Sequence, residues 1–461
     1  MSLPASVQEM LETQKVNYNI AQMNDRSSHL SLVSSQQDVC IVQSVLLQDA
    51  EGRVQVLLPA GSILDLDALV KHTNRSFEGV KIDDILPLME QHQLSCIPAV
   101  PRWQGMPTIV DTSLLNKKML WLESGSGDNM LELSQVDFQN INGSSESIAC
   151  AIPAPSLLDD RSKDETQIFD SVKRFTQKRI KQRLDETLEL PPLPETAQRI
   201  IKLRADPNAD ISDLANIVEI DPSLAAQVVS WAASPYYSAP GKIKSVHDAI
   251  VRVLGFDMVL NLALGLALGK TMSMHTLSPL QISKYWRNSV YTAAAVEGLV
   301  TSIERPYRPG FGMAYLSGLL NNFGYLILAE VFPPYFEGIE RLARANTHIP
   351  SATIELHQLG LTGNQIAAWL MDNWNMPEEV VMALRYQNNP RYDGEHAIYA
   401  KLIHLAQQML ANAGFGTRLA RPIPDQLYRD LHIDADTARI TIENILEAGD
   451  DLDAIAEKMR A

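Results

Sequence analysis

Residues 188–259 read LELPPLPETAQRIIKLRADPNADISDLANIVEIDPSLAAQVVSWAASPYYSAPGKIKSVHDAIVRVLGFDMV. Apolar residues recur through it at spacings of three and four, the signature of amphipathic helix. Pro191, Pro192 and Pro194 stop any helix arriving from the N-terminal side, because proline lacks the amide proton and clashes with the preceding turn. Asp221-Pro222 is a helix start: the carboxylate caps free amides, and proline is tolerated at the first helical position. Ser234-Pro235 and Pro240-Gly241 are turn chemistry. The stretch predicts short helices joined by tight turns.

The same pattern continues to the C-terminus. Helices are expected over Thr196–Arg204, Ile211–Ile220, Leu224–Ala233, Val246–Val253, Met258–Lys270, Ile282–Ile303, Gly312–Glu330, Phe336–Ala345, Ser351–Trp374, Glu378–Tyr386, Glu395–Ala413 and Thr437–Ala448. No fixed-period repeat runs through them, which argues for a globular helical domain over a solenoid. The apolar run Val253–Leu268 is interrupted by Asp257 and Asn261, and reads as a core helix.

Working back towards the N-terminus, residues 151–165 are rich in proline, serine and charge and read as a linker. The first 150 residues mix short strands and helices. CIVQSVLLQD and RVQVLLPAG flank Ala50-Glu51-Gly52, a hairpin signal. Asp65–His72 and Ile82–Gln91 have helical spacing, and TIVDTSLL, KKMLWLESG and MLELSQVDF are strand-like, with a turn at Gly125, Gly127 and Asp128. The expected fold class is therefore multidomain, an α+β mixed-sheet domain followed by an all-α domain. Its divisions are 1–150, a linker and connecting helix over 151–187, a helical domain over 188–413, and a helical extension over 414–461.

The landmarks Leu190–Pro194, Asp221-Pro222, Ser234-Pro235-Tyr236-Tyr237, Ile243, Ala249-Ile250 and Leu254-Gly255, in that order, resemble the HDOD family, output-type relatives of the HD phosphohydrolases. The likeness covers about Leu188–Gln408 and implies an HD-like helical fold. HD hydrolases hold divalent metal through converging histidines and aspartates, and amides are poor substitutes for such ligands. Where the resemblance places the first histidine stands Asn288; where it places the His-Asp pair stand Asn321 and Asn322. Gly363 takes a third histidine position, Gln387 and Asn388 a His-His pair, and Gln407 the final aspartate. The implied site is degenerate, and neither metal nor cofactor is expected. The three asparagines read either as a polar patch that recognises a ligand or as hydrogen-bonded core residues. Tyr236 and Tyr237 are read as packing or as a binding surface. His247-Asp248 opens a helix, where Asp248 suits the N-terminal dipole; His357 and His404 read as buried or rim residues without partner ligands.

Tyr18–Asn142, through VCIVQSVLLQDAEGRVQVLLPAGSILDLDALVKH and MPTIVDTSLLNKKMLWLESGSGDNMLELSQVDF, resembles the YbaK-like aminoacyl-tRNA deacylases associated with prolyl-tRNA synthetase. Here too the implied site is altered. Gln43 stands where that family has a tRNA-binding lysine. Ser95 and Cys96, ahead of Pro98, stand where it has the glycine of a Gly-x-x-x-Pro loop, and glycine permits a close backbone approach that other residues supply badly. Asp111 matches the family, and an Asp ending a strand is also an ordinary capping residue. Cys96 has no visible base and reads as a core thiol.

The formal charge is −16 and the sequence pI is about 5.1, which disfavours a protein built to neutralise phosphates. Cys40, Cys96 and Cys150 are too far apart for a metal or redox motif and read as reduced thiols. No signal peptide or membrane span is read, so the expected location is the cytoplasm. KRFTQKRIKQR, with Lys173, Arg174, Lys178, Arg179, Lys181 and Arg183, reads as a solvated helix face, or else as a contact for RNA, a membrane or an acidic partner. The expected function is a non-catalytic, bacterial-type signal-transduction protein whose helical half binds a protein partner or a small nucleotide signal, without membrane association. Two readings stand beside it: deacylation of mischarged tRNA by the N-terminal domain, and residual metal-dependent phosphohydrolysis. Oligomeric state is not legible.

Overall fold

The computed structural model describes residues 3–22, 38–126, 129–157, 160–180 (side chains to 175), 192–239, 241–270, 277–416 and 423–459. Gly127, Asp128, Asp159, Lys181, Arg183, Leu190, Pro191 and Pro240 lie outside the described residues, as do the side chains of Lys178 and Arg179.

The chain divides into two compact units. One comprises Met1–Leu157, Pro334–Gln358 and Gly414–Pro424, the other Leu158–Pro333, Leu359–Ala413 and Asp425–Ala461. These do not follow the sequence divisions: residues 334–358, read as part of the helical domain, belong to the first unit. The physical reason is burial, since Ala345 is fully enclosed in a core shared with Val45, Leu47, Val56, Leu64 and Phe77.

In the mixed-sheet unit the strands are β1 (Asn19–Gln22), β2 (Val39–Asp49), β3 (Gly52–Pro59), β4 (Ser62–Leu64), β5 (Glu78–Gly79), β6 (Thr108–Asp111), β7 (Met119–Glu123), β8 (Asn129–Ser134), β9 (Glu146–Ile148) and β10 (Ala151–Pro153). Among the described residues, the main sheet runs β1-β8-β7-β2-β3-β6-β9, with β5 also paired to β2, and β10 pairs separately with β4. The β2–β3 hairpin turns at the expected place, with Asp49 opposite Gly52. Parallel pairs (β2–β7, β3–β6, β6–β9) stand among antiparallel ones, so the sheet is mixed. Apolar side chains fill both faces. Val42, Leu57, Trp103, Leu122 and Phe138 meet in one core; Val45, Leu47, Val54 and Leu58 face the other.

Two strand readings and one linker reading are corrected. TIVDTSLL is strand only to Asp111, whose carboxylate accepts the Ser113 amide at 2.9 Å and starts a 3-10 turn over Thr112–Asn116. MLELSQVDF is strand only to Ser134, which caps a helix by accepting the Asp137 amide at 3.1 Å. The first residues of the expected linker form β10, because they pair with β4.

Helices are numbered along the whole chain: α1 (Ala5–Thr13), α2 (Leu66–Thr73), α3 (Ile82–Gln91), α4 (Gln135–Asn142), α5 (Asp164–Ile180), α6 (Glu195–Arg204), α7 (Ile211–Glu219), α8 (Pro222–Ala232), α9 (Val246–Ala249), α10 (Phe256–Gly269) and α11 (Pro279–Ser302). They continue as α12 (Phe311–Leu319), α13 (Phe323–Val331), α14 (Pro333–Ala345), α15 (Ser351–Leu359), α16 (Gly363–Asn373), α17 (Glu378–Tyr386), α18 (Ala397–Asn412), α19 (Asp425–Asp430), α20 (Ala435–Glu447) and α21 (Gly449–Lys458).

In the helical unit Asp221 caps α8 as expected, accepting from Ser223 and Leu224 at 2.9 and 3.0 Å. Two long expected helices are each broken. Gly312–Glu330 becomes α12 and α13, parted at Leu320–Asn322. Ser351–Trp374 becomes α15 and α16: Gly360 turns at φ +79, and Thr362 with Gln365 forms a capping box. Val246–Val253 is one α-turn followed by a π-turn over Ile250–Leu254.

Helix α11 is the centre of this unit, packed on α12, α18, α20 and α21. The acidic tail docks on it: Tyr291 donates to the Gly449 carbonyl at 3.0 Å, Arg287 pairs with Asp453 at 2.7 Å, and Gly298 leaves room for Thr441.

The start of α5 is held by a buried ion pair. Asp164 and Arg385 are 7% and 6% exposed, Arg385 makes a two-pronged contact with the carboxylate, and Gln365 adds an amide at 2.9 Å. Removing one partner strands the other charge away from water. Asp164→Ala should therefore lower unfolding free energy by about 3–5 kcal/mol. The double change Asp164→Leu with Arg385→Met, read in the same denaturant titration, should lose much less.

Candidate functional site

In the helical unit, the positions where metal ligands were looked for do meet. Asn321 lies in the break between α12 and α13, Gln387 closes α17, Gln407 projects from α18 and Asn288 from α11. The Gln407 amide nitrogen donates to Asn321 Oδ1 at 2.9 Å and to Gln387 Oε1 at 3.0 Å, which uses both its protons. Gln387 donates in turn to the Asn321 carbonyl at 2.8 Å, and its second proton is shared between the Leu384 carbonyl at 3.2 Å and Asn364 Oδ1 at 3.4 Å. Asn321 Nδ2 donates to the Gly318 carbonyl at 2.7 Å, and Asn288 reaches Asn321 Oδ1 at 3.4 Å. Asn321 and Gln387 are 4% and 3% exposed. Of the two readings of the asparagines, hydrogen-bonded core describes Asn321.

The rest of that set plays other parts. Asn322 is the N-cap residue of α13 and makes no capping bond. Asn388 is half-buried beside Gln387. Gly363 opens α16 against Gly324, where a Cβ would come within 2.3 Å of the Gly363 carbonyl oxygen. The two helix breaks fall at these positions, which is why a periodicity reading ran straight over them. Asn364 was missed; its adjacency to the Gly363 position was the available signal.

The donor set does not fit a divalent cation. The converging groups are neutral amides, the oxygens of Asn321, Gln387 and Asn364 already accept hydrogen bonds, and no carboxylate stands among them to balance a dication. The nearby His404 donates its Nδ1 proton to the Gln387 carbonyl at 2.9 Å, since that oxygen can only accept. Among the described residues, no three His, Cys, Asp or Glu side chains cluster to hold a metal. His247 and His357 are both exposed, and Asp248 accepts the Lys244 amide at 3.1 Å.

Tyr236 and Tyr237 pack edge-to-face with centroids 4.9 Å apart. Tyr237 accepts from the Trp231 indole at 3.1 Å and donates to Glu297 at 3.3 Å. Glu297, which sequence reading missed, is pushed up to about 7 by burial, against the opposing pull of the Tyr237 hydrogen bond.

In the mixed-sheet unit, Gln43 is half-buried on β2 opposite Leu58. Its neighbour Ser44 belongs to a buried network in which Gln55 donates to Ser44 at 3.0 Å and to the Pro98 carbonyl at 2.9 Å. Thr108 completes it, donating to Gln55 at 3.0 Å. This network fixes the 95–98 loop. Ser95 is exposed and its amide donates to the Gly125 carbonyl at 2.8 Å. Close approach is still made by a glycine, but on the facing turn: Gly125 has φ +91, and a Cβ there would sit 2.8 Å from Leu94. The Cys96 thiol donates to buried Glu123 at 3.2 Å, a partner that the sequence did not reveal. Asp111 is 2% exposed, and its second oxygen accepts the Cys150 and Ala151 amides at 2.8 Å each. Burial pushes the Cys40 thiol up to about 11, and burial with the Asp111 carboxylate pushes the Cys150 thiol up as well.

These two halves define a class: a mixed-sheet domain joined to an all-helical domain in which amide side chains converge. Residues 190–390 match the HDOD domain and residues 27–141 the aminoacyl-tRNA editing domain. A solved structure from Marinobacter aquaeolei VT8, named for signal transduction, is 39% identical, with all of each chain covered and a TM-score of 0.81. The chain belongs to the same family as that protein. An HDOD domain protein of unknown function from Geobacter sulfurreducens shares the fold at 20% identity, with a TM-score of 0.50, over 64% of this chain and 98% of that one. A Treponema pallidum (strain Nichols) protein is 21% identical over 205 residues, 44% of this chain, and the match spans only 39% of that relative's length.

Two outcomes are expected. Gln407→Ala withdraws both donors from Asn321 and Gln387, and should lower stability by about 1–3 kcal/mol in denaturant unfolding. Glu297 binds a proton in the folded protein between pH 4.5 and about 7, where the unfolded chain has released it. Its contribution is therefore present below pH 4.5 and lost as pH rises to 7, by about 3 kcal/mol. Comparing Glu297→Gln with the parent across pH 4–8 should show this slope flattened and the variant more stable at pH 8.

Proposed function

We propose that this chain is a non-catalytic signal-transduction protein that acts by binding, its helical half recognising a protein partner or a small nucleotide-like signal. The observation that supports this most is the closed set of amides at Asn288, Asn321, Gln387 and Gln407. Phosphoester hydrolysis in an HD-type site depends on a metal to polarise phosphate and activate water, and these groups are poor metal ligands. The relative from Marinobacter, named for signal transduction, supports the same reading. In the other half, Gln43 brings no charge to a tRNA end, and Asp111 is occupied in holding backbone, which leaves deacylation without its positioning groups. Among the described residues no helix is long and apolar enough to cross a membrane.

The test uses the full chain. Turnover is measured on cyclic nucleotides, phosphomonoesters and mischarged tRNAs with magnesium, manganese or iron present. Binding is read by thermal shift against nucleotides and by crosslinking in cells. No turnover is expected, together with either a nucleotide shift or one recurrent crosslinked protein. Phosphoester turnover lost in Asn321→Ala, or deacylation lost in Gln43→Ala, would overturn the proposal, as would silence in both binding measurements.

A further inference from the structure

Along α11 the stretch Ala293–Val300 reads AAAVEGLV, apolar but for Glu297. A carboxylate in such a place costs free energy unless something answers its charge. The described residues do not answer it. Glu297 Oε2 accepts one hydrogen bond, from Tyr237 at 3.3 Å, and among the described residues Oε1 accepts none. Burial and that one bond are what act on the carboxyl, with no lysine or arginine beside them.

The surroundings are aromatic. Tyr236 and Tyr237, from the turn after α8, stand edge-to-face at 4.9 Å; Trp231 on α8 and Tyr315 on α12 do the same at 6.3 Å. The Trp231 indole donates to the Tyr237 hydroxyl at 3.1 Å, which ties the two pairs together. Trp231 and Tyr315 are 4% and 1% exposed, whereas Tyr236, Tyr237 and Glu297 are half-buried. The result is a recess with buried rings behind it and a rim that solvent reaches. The Tyr315 hydroxyl, close enough to feel both Tyr237 and Glu297, is buried without a hydrogen-bond partner among the described residues.

This set of groups selects the charge and the donors of a ligand. Glu297 repels an anion. A hard divalent cation takes about six oxygen ligands, and one carboxylate among phenols is too few. Water would satisfy Oε1 yet leave the charge unbalanced. A positively charged N–H donor meets both needs, and the faces of tyrosine and tryptophan attract the same charge.

We infer that Glu297, Trp231, Tyr236, Tyr237 and Tyr315 form a binding site for a small ammonium ion, a protonated primary amine. Its N–H groups donate to Glu297 Oε1 and to the Tyr315 hydroxyl, and its carbon lies against the rings. Glu297 follows Asn288 by nine residues on α11, about 14 Å of helical rise. The site is therefore distinct from the amide cluster, and neither proposal depends on the other.

Methylammonium is the probe, added to the full chain at pH 8, where Glu297 is mostly ionised, with ionic strength held by sodium chloride. Calorimetry should show saturable binding, and the ligand's methyl proton resonance should move upfield because it sits over ring faces. Potassium, which carries the charge without N–H donors, should compete poorly. Glu297→Gln should bind about tenfold more weakly, the loss of one charged hydrogen bond, and Tyr236→Leu about threefold more weakly. Glu443→Gln, which removes an exposed carboxylate outside the recess, should bind as the parent does. Absence of saturable binding overturns the site, as do full competition by potassium and affinity retained in Glu297→Gln. So does an equal loss in Glu443→Gln, which would show attraction to net charge alone. The potassium comparison needs only the parent chain, so a variant that folds poorly does not remove the test.

Discussion

A primary carboxamide carries two donors beside an oxygen that accepts, so amides can satisfy one another where ionised carboxylates, which only accept, cannot. This parity allows α11, α16, α17, α18 and the α12–α13 break to meet around Asn321 and Gln387 with no ion to neutralise. A ring of carboxylates in the same place would repel, and would need a cation to hold it. The amide set needs none, and its hydrogen bonds hold the helix ends together.

The mixed-sheet unit meets a different constraint. A two-stranded ribbon such as β4–β10 is marginal by itself, and an unpaired strand edge leaves backbone groups without partners. One edge of β10 is anchored by Asp111, and the free edge of β4 is closed by Asn346 and His348. Asp111 is the residue that most resembles a working editing site, yet both its oxygens are spent on backbone: Ser113 on one side, Cys150 and Ala151 on the other.

Much of this was legible from sequence. The β2–β3 hairpin, helices α2, α3 and α17, the Asp221 cap and the tail's helical character follow from local turn chemistry, capping and periodicity. Other features were not. Periodicity ran through Leu320–Asn322 and Gly360–Thr362 because the apolar spacing continues across both breaks, while the backbone follows a cap and a positive φ. QVDF was taken with the strand before it because Ser134 serves equally as a strand end and a helix cap. The positions of the degenerate site were legible one at a time through resemblance, but not that Asn364 joins them or that Asn322 and Asn388 stand aside.

The sequence by itself determined that a mixed α+β half precedes a helical half, and that Asn288, Asn321, Gln387 and Gln407 bring amides to their helices. Those are statements about residue type and local spacing, which neighbours along the chain encode. Tertiary structure alone decided that the amides satisfy one another, that Cys96 faces Glu123, that Asp164 pairs with Arg385, and that 334–358 belongs with the sheet. Each joins residues far apart in sequence, where a contact depends on how helices and strands pack and leaves no trace in the local pattern of either partner.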